Sequence, residues 1–153
     1  MTLGTCYQYD ALNDLTAVAE GGQPRSYSFD GLGRETSETT PEAGLVNYAF
    51  AASGGGLCAG DPKQVCQRTD ARGITTTYSY DAENRLTSKT YSDSTPAAYY
   101  YYDESSVSVA GTNYSVNDGK GRLTHTTADG GNCSTGTLWD MKYYYYPGGE
   151  ESG

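Results

Sequence analysis

The sequence predicts an all-β fold in which repeated antiparallel β-hairpins join into one continuous twisted sheet. Composition is the first observation behind this. The 153 residues include 16 Tyr, 20 Gly and 19 Thr but only two Phe, one Trp and two Met. Tyr and Thr suit a half-wet pleated surface and Gly supplies turns. Second, the strong helix formers Leu, Glu, Lys and Ala never line up over a long stretch. Third, one phrase of aromatic, polar, aromatic, Asp recurs at Tyr7-Gln8-Tyr9-Asp10, Tyr27-Ser28-Phe29-Asp30 and Tyr78-Ser79-Tyr80-Asp81. A polar chain with 36% hydrophobic residues is otherwise a candidate for disorder, and its Tyr content argues against that.

Each element follows from that phrase. Side chains alternate along a strand, so the two aromatics of Tyr7–Tyr9, Tyr27–Phe29 and Tyr78–Tyr80 share a face. The Asp then opens a turn, its carboxylate accepting backbone N–H groups two residues on. Three residues after Asp10, Asp30 and Asp81 stand Asn13, Gly33 and Asn84, and six residues after them stand Thr16, Thr36 and Thr87. Two weaker copies keep the same spacing: Asp70, Gly73 and Thr76, then Asp118, Gly121 and Thr124. Gly and Asn tolerate positive φ best, which predicts a type I turn closed by a left-handed residue and a bulge. The returning strands begin at Asp14-Leu15-Thr16, Arg85-Leu86-Thr87 and Arg122-Leu123-Thr124.

Asp10 and Asp30 are 20 residues apart and Asp70 and Asp81 only 11, so a unit of roughly 20 residues contains two turns. The 51-residue step from Asp30 to Asp81 holds an irregular insert, 44–67, with the loop-like run Ala51-Ala52-Ser53-Gly54-Gly55-Gly56. An isolated hairpin is marginal in water, so the units are expected to stack edge to edge. Residues 1–153 are read as a single array that forms part of a longer chain.

A net charge of -9 with ten basic residues leaves no cluster able to neutralise phosphates, which argues against a nucleic-acid partner or an anionic membrane surface. No apolar run approaches the length of a membrane span. The start, MTLGTCYQYD, lacks the basic and apolar regions of a signal peptide, so a secreted or cell-surface location requires an export signal outside this sequence.

Cys58 and Cys66 bracket a loop with Gly60-Asp61-Pro62 at its tip, and a bridge between them is the favoured pairing, in keeping with an oxidising compartment. Free thiols are the alternative. No Cys pair has zinc-knuckle spacing, and no metal or cofactor is expected. His125, the only histidine, alternates along a strand, and the repeat explains the five Asp better than acid/base chemistry does, so no catalytic residue is assigned. The runs Tyr99–Tyr102 and Tyr143–Tyr146 put rings on both faces of a strand. Tyr99, Tyr101, Tyr144 and Trp139 are candidates for stacking on sugar rings, with cross-strand aromatic ladders as the plainer use.

The stretch from Thr69-Asp70-Ala71-Arg72-Gly73 through Tyr78-Ser79-Tyr80-Asp81-Ala82-Glu83-Asn84-Arg85-Leu86-Thr87 resembles the YD-repeat (RHS-repeat) phrase of bacterial RHS and wall-associated proteins, and the likeness extends over residues 7–127. It implies a β-sheet that spirals into a hollow shell. In bacterial members such shells enclose a C-terminal toxin, and related arrays occur in cell-wall-associated proteins and animal teneurins. This chain is shorter than a closed shell needs and shows neither a variable toxin domain nor the paired Asp-Pro-x-Gly-Leu motif of self-cleaving cores. Toxicity and proteolysis are therefore not carried over.

Two function classes follow. One is a structural segment of a shell, stalk or filament, whose partners are neighbouring repeats or copies of itself through sheet edges, or an enclosed toxin domain. The other is an adhesin surface that binds glycans through exposed Tyr. An open array has two free edges unless they are capped, and the sequence shows no cap at either end.

Overall fold

The computed structural model describes residues 4–52, 54–109, 112–116, 119–128 and 141–142. Among these there is no helix, and every regular element is a strand. Two compact units divide the chain, 1–77 and 78–153.

The first unit is a meander of β1 (Thr5–Tyr9), β2 (Leu15–Glu20), β3 (Gln23–Phe29), β4 (Glu35–Thr40), β5 (Gly44–Ala49), β6 (Gln67–Thr69) and β7 (Thr75–Tyr80), the last of which carries the backbone into the second unit. Each strand pairs antiparallel with the next, as in Cys6 opposite Ala19, Ser26 opposite Thr39 and Arg68 opposite Thr76. This is the connectivity that short turns enforce, because consecutive strands joined by a few residues must run antiparallel. The register shifts between Gln8 and Tyr9 and again between Ser28 and Phe29, one residue before each Asp. A bulge is needed there, since a positive-φ residue closing the turn adds one residue to the returning strand.

In the second unit β8 (Leu86–Tyr91), β9 (Ala98–Tyr102), β12 (Leu123–Ala128) and β13 (Met141–Lys142) are neighbours in that order. Between β9 and β12 the chain makes a separate two-stranded ribbon of β10 (Ser106–Val109) and β11 (Thr112–Ser115), with Val107 opposite Tyr114.

Few apolar side chains are buried. Among the described residues Val46 and Cys66 are 1% exposed and Val107 is 5% exposed, while the buried polar side chains are Ser88, Thr124, His125 and Thr127. With so little apolar burial, stability rests on ladder hydrogen bonds and turn chemistry more than on a hydrophobic core. Backbone packing is tight at Gly44, whose φ is +70° and where a Cβ would lie 2.8 Å from that of Ala71.

The irregular insert is shorter than the sequence suggests. Residues 44–49 form β5 and Gln67 begins β6, which leaves 50–66 as the irregular segment. Leu45, Val46, Asn47 and Tyr48 have strand chemistry of their own, and the glycine run after them hid it by drawing the boundary too early.

Candidate functional site

One arrangement recurs through both units and is built on the turn aspartates. Asp10 Oδ1 accepts the N–H groups of Leu12 and Asp14, both at 2.9 Å. Asp30 does the same with Leu32 at 2.9 Å and Arg34 at 3.1 Å. Asp70 accepts from Arg72 at 2.9 Å and Ile74 at 3.1 Å, and Asp81 from Glu83 at 3.0 Å and Arg85 at 2.9 Å. In all four the Asp N–H returns a bond to the carbonyl four residues on, between 2.9 and 3.0 Å. Asn13, Gly33, Gly73 and Asn84 have φ of 68°, 69°, 80° and 62°. An αL residue there lets the next N–H turn back to the carboxylate, and Gly and Asn hold that conformation at least cost. The Thr six residues after Asp adds a rung: Thr16 Oγ1 donates to the Gln8 carbonyl at 3.2 Å and Thr36 Oγ1 to that of Ser28 at 3.1 Å.

Arginine four residues after the Asp completes two of these turns, and at a third Arg72 pairs with Asp70 at 2.7 Å from two residues on. Arg34 pairs with Asp30 at 2.6 Å, lies 4.4 Å over the Phe50 ring and donates to the Pro62 carbonyl at 2.5 Å. Arg85 pairs with Asp81 and with Asp103, both at 2.7 Å, and lies 4.5 Å over the Tyr102 ring. Guanidinium suits this place because one planar fork can serve a carboxylate, a ring face and a further acceptor together. The Arg34 side chain holds the Asp30 carboxyl below its ordinary value, and the Arg85 side chain does the same for Asp103. Asp70 is lowered chiefly by Arg72. At Asp81 burial is the largest single influence and works upward, yet the bonds from Arg85 and Glu83 together outweigh it.

The copy assigned to Asp118, Gly121 and Thr124 is put together differently. Asp118 lies outside the described residues. Among the described residues the carboxylate serving this turn is Asp103: its Oδ1 accepts the Gly121 N–H, and its own N–H donates to the Arg122 carbonyl at 3.2 Å. Thr124 Oγ1 then donates to the Tyr101 carbonyl at 3.0 Å, the rung that Thr16 and Thr36 make elsewhere. Gly121 supplies the positive φ, 76°. The repeat is therefore Tyr100-Tyr101-Tyr102-Asp103 followed, after an insertion carrying β10 and β11, by Gly121-Arg122-Leu123-Thr124. Counting forward at fixed spacing cannot cross an insertion. The usable signal was the aromatic, x, aromatic, Asp phrase hidden inside the tyrosine run.

A second cluster lies beside this split turn. Glu104 Oε2 is 2.5 Å from His125 Nδ1 and 2.5 Å from Thr124 Oγ1, whose single hydroxyl proton is shared between this carboxylate and the Tyr101 carbonyl. The His125 ring stacks on Tyr101 with centroids 4.1 Å apart and planes 1° from parallel. His125 is 7% exposed. Its partners come from sequence-distant residues, so spacing along the chain gave no sign of them.

The remaining candidates fall in separate places. Cys58 and Cys66 are joined by a disulfide with a Cα–Cα distance of 5.5 Å, closing part of the 50–66 insert. Tyr99 and Tyr101 lie on β9, both half-buried, and one face of Tyr101 is covered by His125. Tyr144 and Trp139 lie outside the described residues. No cluster of three or more metal-ligating side chains occurs among the described residues.

Among curated proteins there is no match to the sequence. Solved structures that resemble it include one titled "Crystal Structure of TcdB2-TccC3-TEV", at 13% identity and a TM-score of 0.26 over 96% of this chain. This chain spans only 11% of the length of that one. The family model described as RHS Repeat matches residues 7–44 and 59–96, segments that contain the turns of Asp10, Asp30, Asp70 and Asp81. In matched segments and turn phrases alike, this chain belongs to the RHS-repeat family.

Proposed function

We propose that this chain is a non-catalytic wall segment of an extracellular RHS-type shell, stalk or filament, joined to neighbouring repeats or to copies of itself through its sheet edges. The observation that carries this reading is the turn. The same carboxylate, the same two N–H bonds and the same αL residue recur at Asp10, Asp30, Asp70 and Asp81. A group that recurs at these four turns and is engaged by local backbone has a structural role. Chemistry at a single site would need a carboxylate unlike the rest.

The edge supports an assembling role. All five residues of β1 are exposed, with Tyr7 60% and Tyr9 55% accessible, and β1 has a partner on one side only among the described residues. A strand of this kind is a template for a further strand. The disulfide supports an oxidising, extracytoplasmic setting. An enclosed toxin domain fits the same wall reading as the partner on its inner face. Glycan binding through Tyr99 and Tyr101 has less support, because His125 already occupies one face of Tyr101.

Light scattering after size exclusion, over a range of concentrations, tests the proposal. Concentration-dependent species above the 16.4 kDa chain are expected. A monomer at every concentration that also binds glycans would replace the wall reading with the adhesin one.

A further inference from the structure

The insert at 50–66 meets a repeat turn at Arg34. Arg34 Nη1 donates to the Pro62 carbonyl at 2.5 Å, and its guanidinium lies 4.4 Å over Phe50. Within the insert the described bonds are local: Ala52 N–H to the Gly56 carbonyl at 2.7 Å, Gln64 N–H to the Asp61 carbonyl at 3.1 Å, and Lys63 N–H to Asp61 Oδ1 at 2.8 Å. Pro62 and Lys63 are exposed, and Gly54–Leu57 is exposed throughout. Ordering so exposed a stretch costs conformational entropy, which contacts to the sheet must offset.

The disulfide ties this stretch covalently to a buried anchor. Cys66 is 1% exposed, and its N–H donates to the Ala49 carbonyl at 2.7 Å, so it is anchored where β5 meets β6. Cys58 is half-buried and is tied directly to that anchor. The bridge thereby confines Pro62 near Arg34. The equivalent Arg85 shows the contrast: there the third acceptor is Asp103, which follows β9 directly and depends on no bridge.

We propose that the Cys58–Cys66 disulfide is a redox latch that holds the 50–66 insert on the Asp30–Arg34 turn, and that reduction releases the insert while leaving the β-sheet of the unit in place. The chemistry is thiol–disulfide exchange with a dithiol reductant. Its thiolate attacks Sγ of Cys58, the more accessible sulfur, and Cys66 leaves as thiolate and takes a proton. The reductant's second thiol then attacks the mixed disulfide and frees Cys58 as a thiol. Two electrons pass to the protein, one disulfide becomes two thiols, and the reductant ends as its own disulfide. Release frees the Arg34 guanidinium from the Pro62 carbonyl and leaves it paired with Asp30.

Amide hydrogen exchange on the full chain, oxidised and then treated with dithiothreitol, tests this, with Cys58→Ser as the reagent-free counterpart. Reduction and Cys58→Ser should each speed exchange over residues 57–65 by about tenfold or more, with amides of β3 and β4 within about twofold of the oxidised protein. Trypsin should then cut after Lys63 faster in Cys58→Ser than in the oxidised chain. Unchanged exchange over 57–65 would overturn the latch, because the insert would be holding without the bridge. Acceleration of β3 to β6 together with the insert would also overturn it, because the bridge would then be a staple of the whole unit.

Discussion

The carboxylates of Asp30, Asp70, Asp81 and Asp103 are held ionised by what surrounds them, and this makes acid sensitivity a property of single residues. Asp30, Asp70, Asp81 and Asp103 all lie below the ordinary aspartate value of 3.8. A group whose folded pKa is depressed contributes stability that is present above its unfolded pKa and lost as pH falls through the folded one. Denaturation midpoints should therefore be flat above about pH 5 and fall steadily from about pH 4 downward. Asp30→Asn, which keeps an acceptor but not the charge, should lower the plateau and flatten the acid slope; an unaltered slope would show that Arg34 gives Asp30 no advantage. Glu35 runs the other way. Burial first, then the charge of Glu38, pushes its carboxyl up, and Oε1 is buried without a hydrogen-bond partner. Its ionised form is disfavoured in the fold, so its effect on stability worsens as pH rises through the folded pKa. Glu35→Gln should raise the melting temperature at pH 7 and change it little at pH 4, and equal effects at both would refute the assignment.

At the level of the hairpin, the αL position decides whether the turn closes. Gly33 has φ +69° with nothing within 4 Å of where a Cβ would stand, so the cost of a side chain there is conformational and owes nothing to crowding. Gly33→Val should destabilise by about 1–3 kcal/mol. Gly31→Ala, in equally open space but without the positive φ, should stay within about 0.5 kcal/mol. Urea denaturation of both separates strain from loss of glycine as such. These hairpins were legible in the sequence because all their determinants are local: alternation gave the strands, and Asp with a Gly or Asn three residues on gave the turn. Features that depend on residues far apart were not legible. Asp103 is separated from Gly121 by an inserted ribbon, Glu104 meets His125 only once β9 and β12 pair, and Arg34 reaches Pro62 only after the insert folds back. The strand at Gly44–Ala49 was lost for a simpler reason, since a glycine run nearby outweighed a short stretch of strand formers.

For the whole molecule, charge and edge geometry act against each other. The chain carries a net charge of -9 and has a pI near 4.4, so copies repel at neutral pH. Its exposed first strand invites pairing: apart from its short length and the bulge at Gln8/Tyr9 the edge is unguarded, since Thr5–Tyr9 contains no Lys, no Pro and no charge. Repulsion should therefore govern how far edge pairing proceeds. Light scattering at fixed concentration should show larger species as pH falls from 7.5 toward 4.4, and at pH 7.5 as salt shortens the Debye length to about 8 Å near 0.15 M. Gln8→Lys puts a strongly hydrated charge at an exposed position in the middle of β1 and should suppress both responses without moving the melting temperature. Any pairing partner would have to accept that charge beside its own ladder. If the variant associates as readily as the parent chain, the first strand is not the contact, and assembly must run through another surface of the sheet.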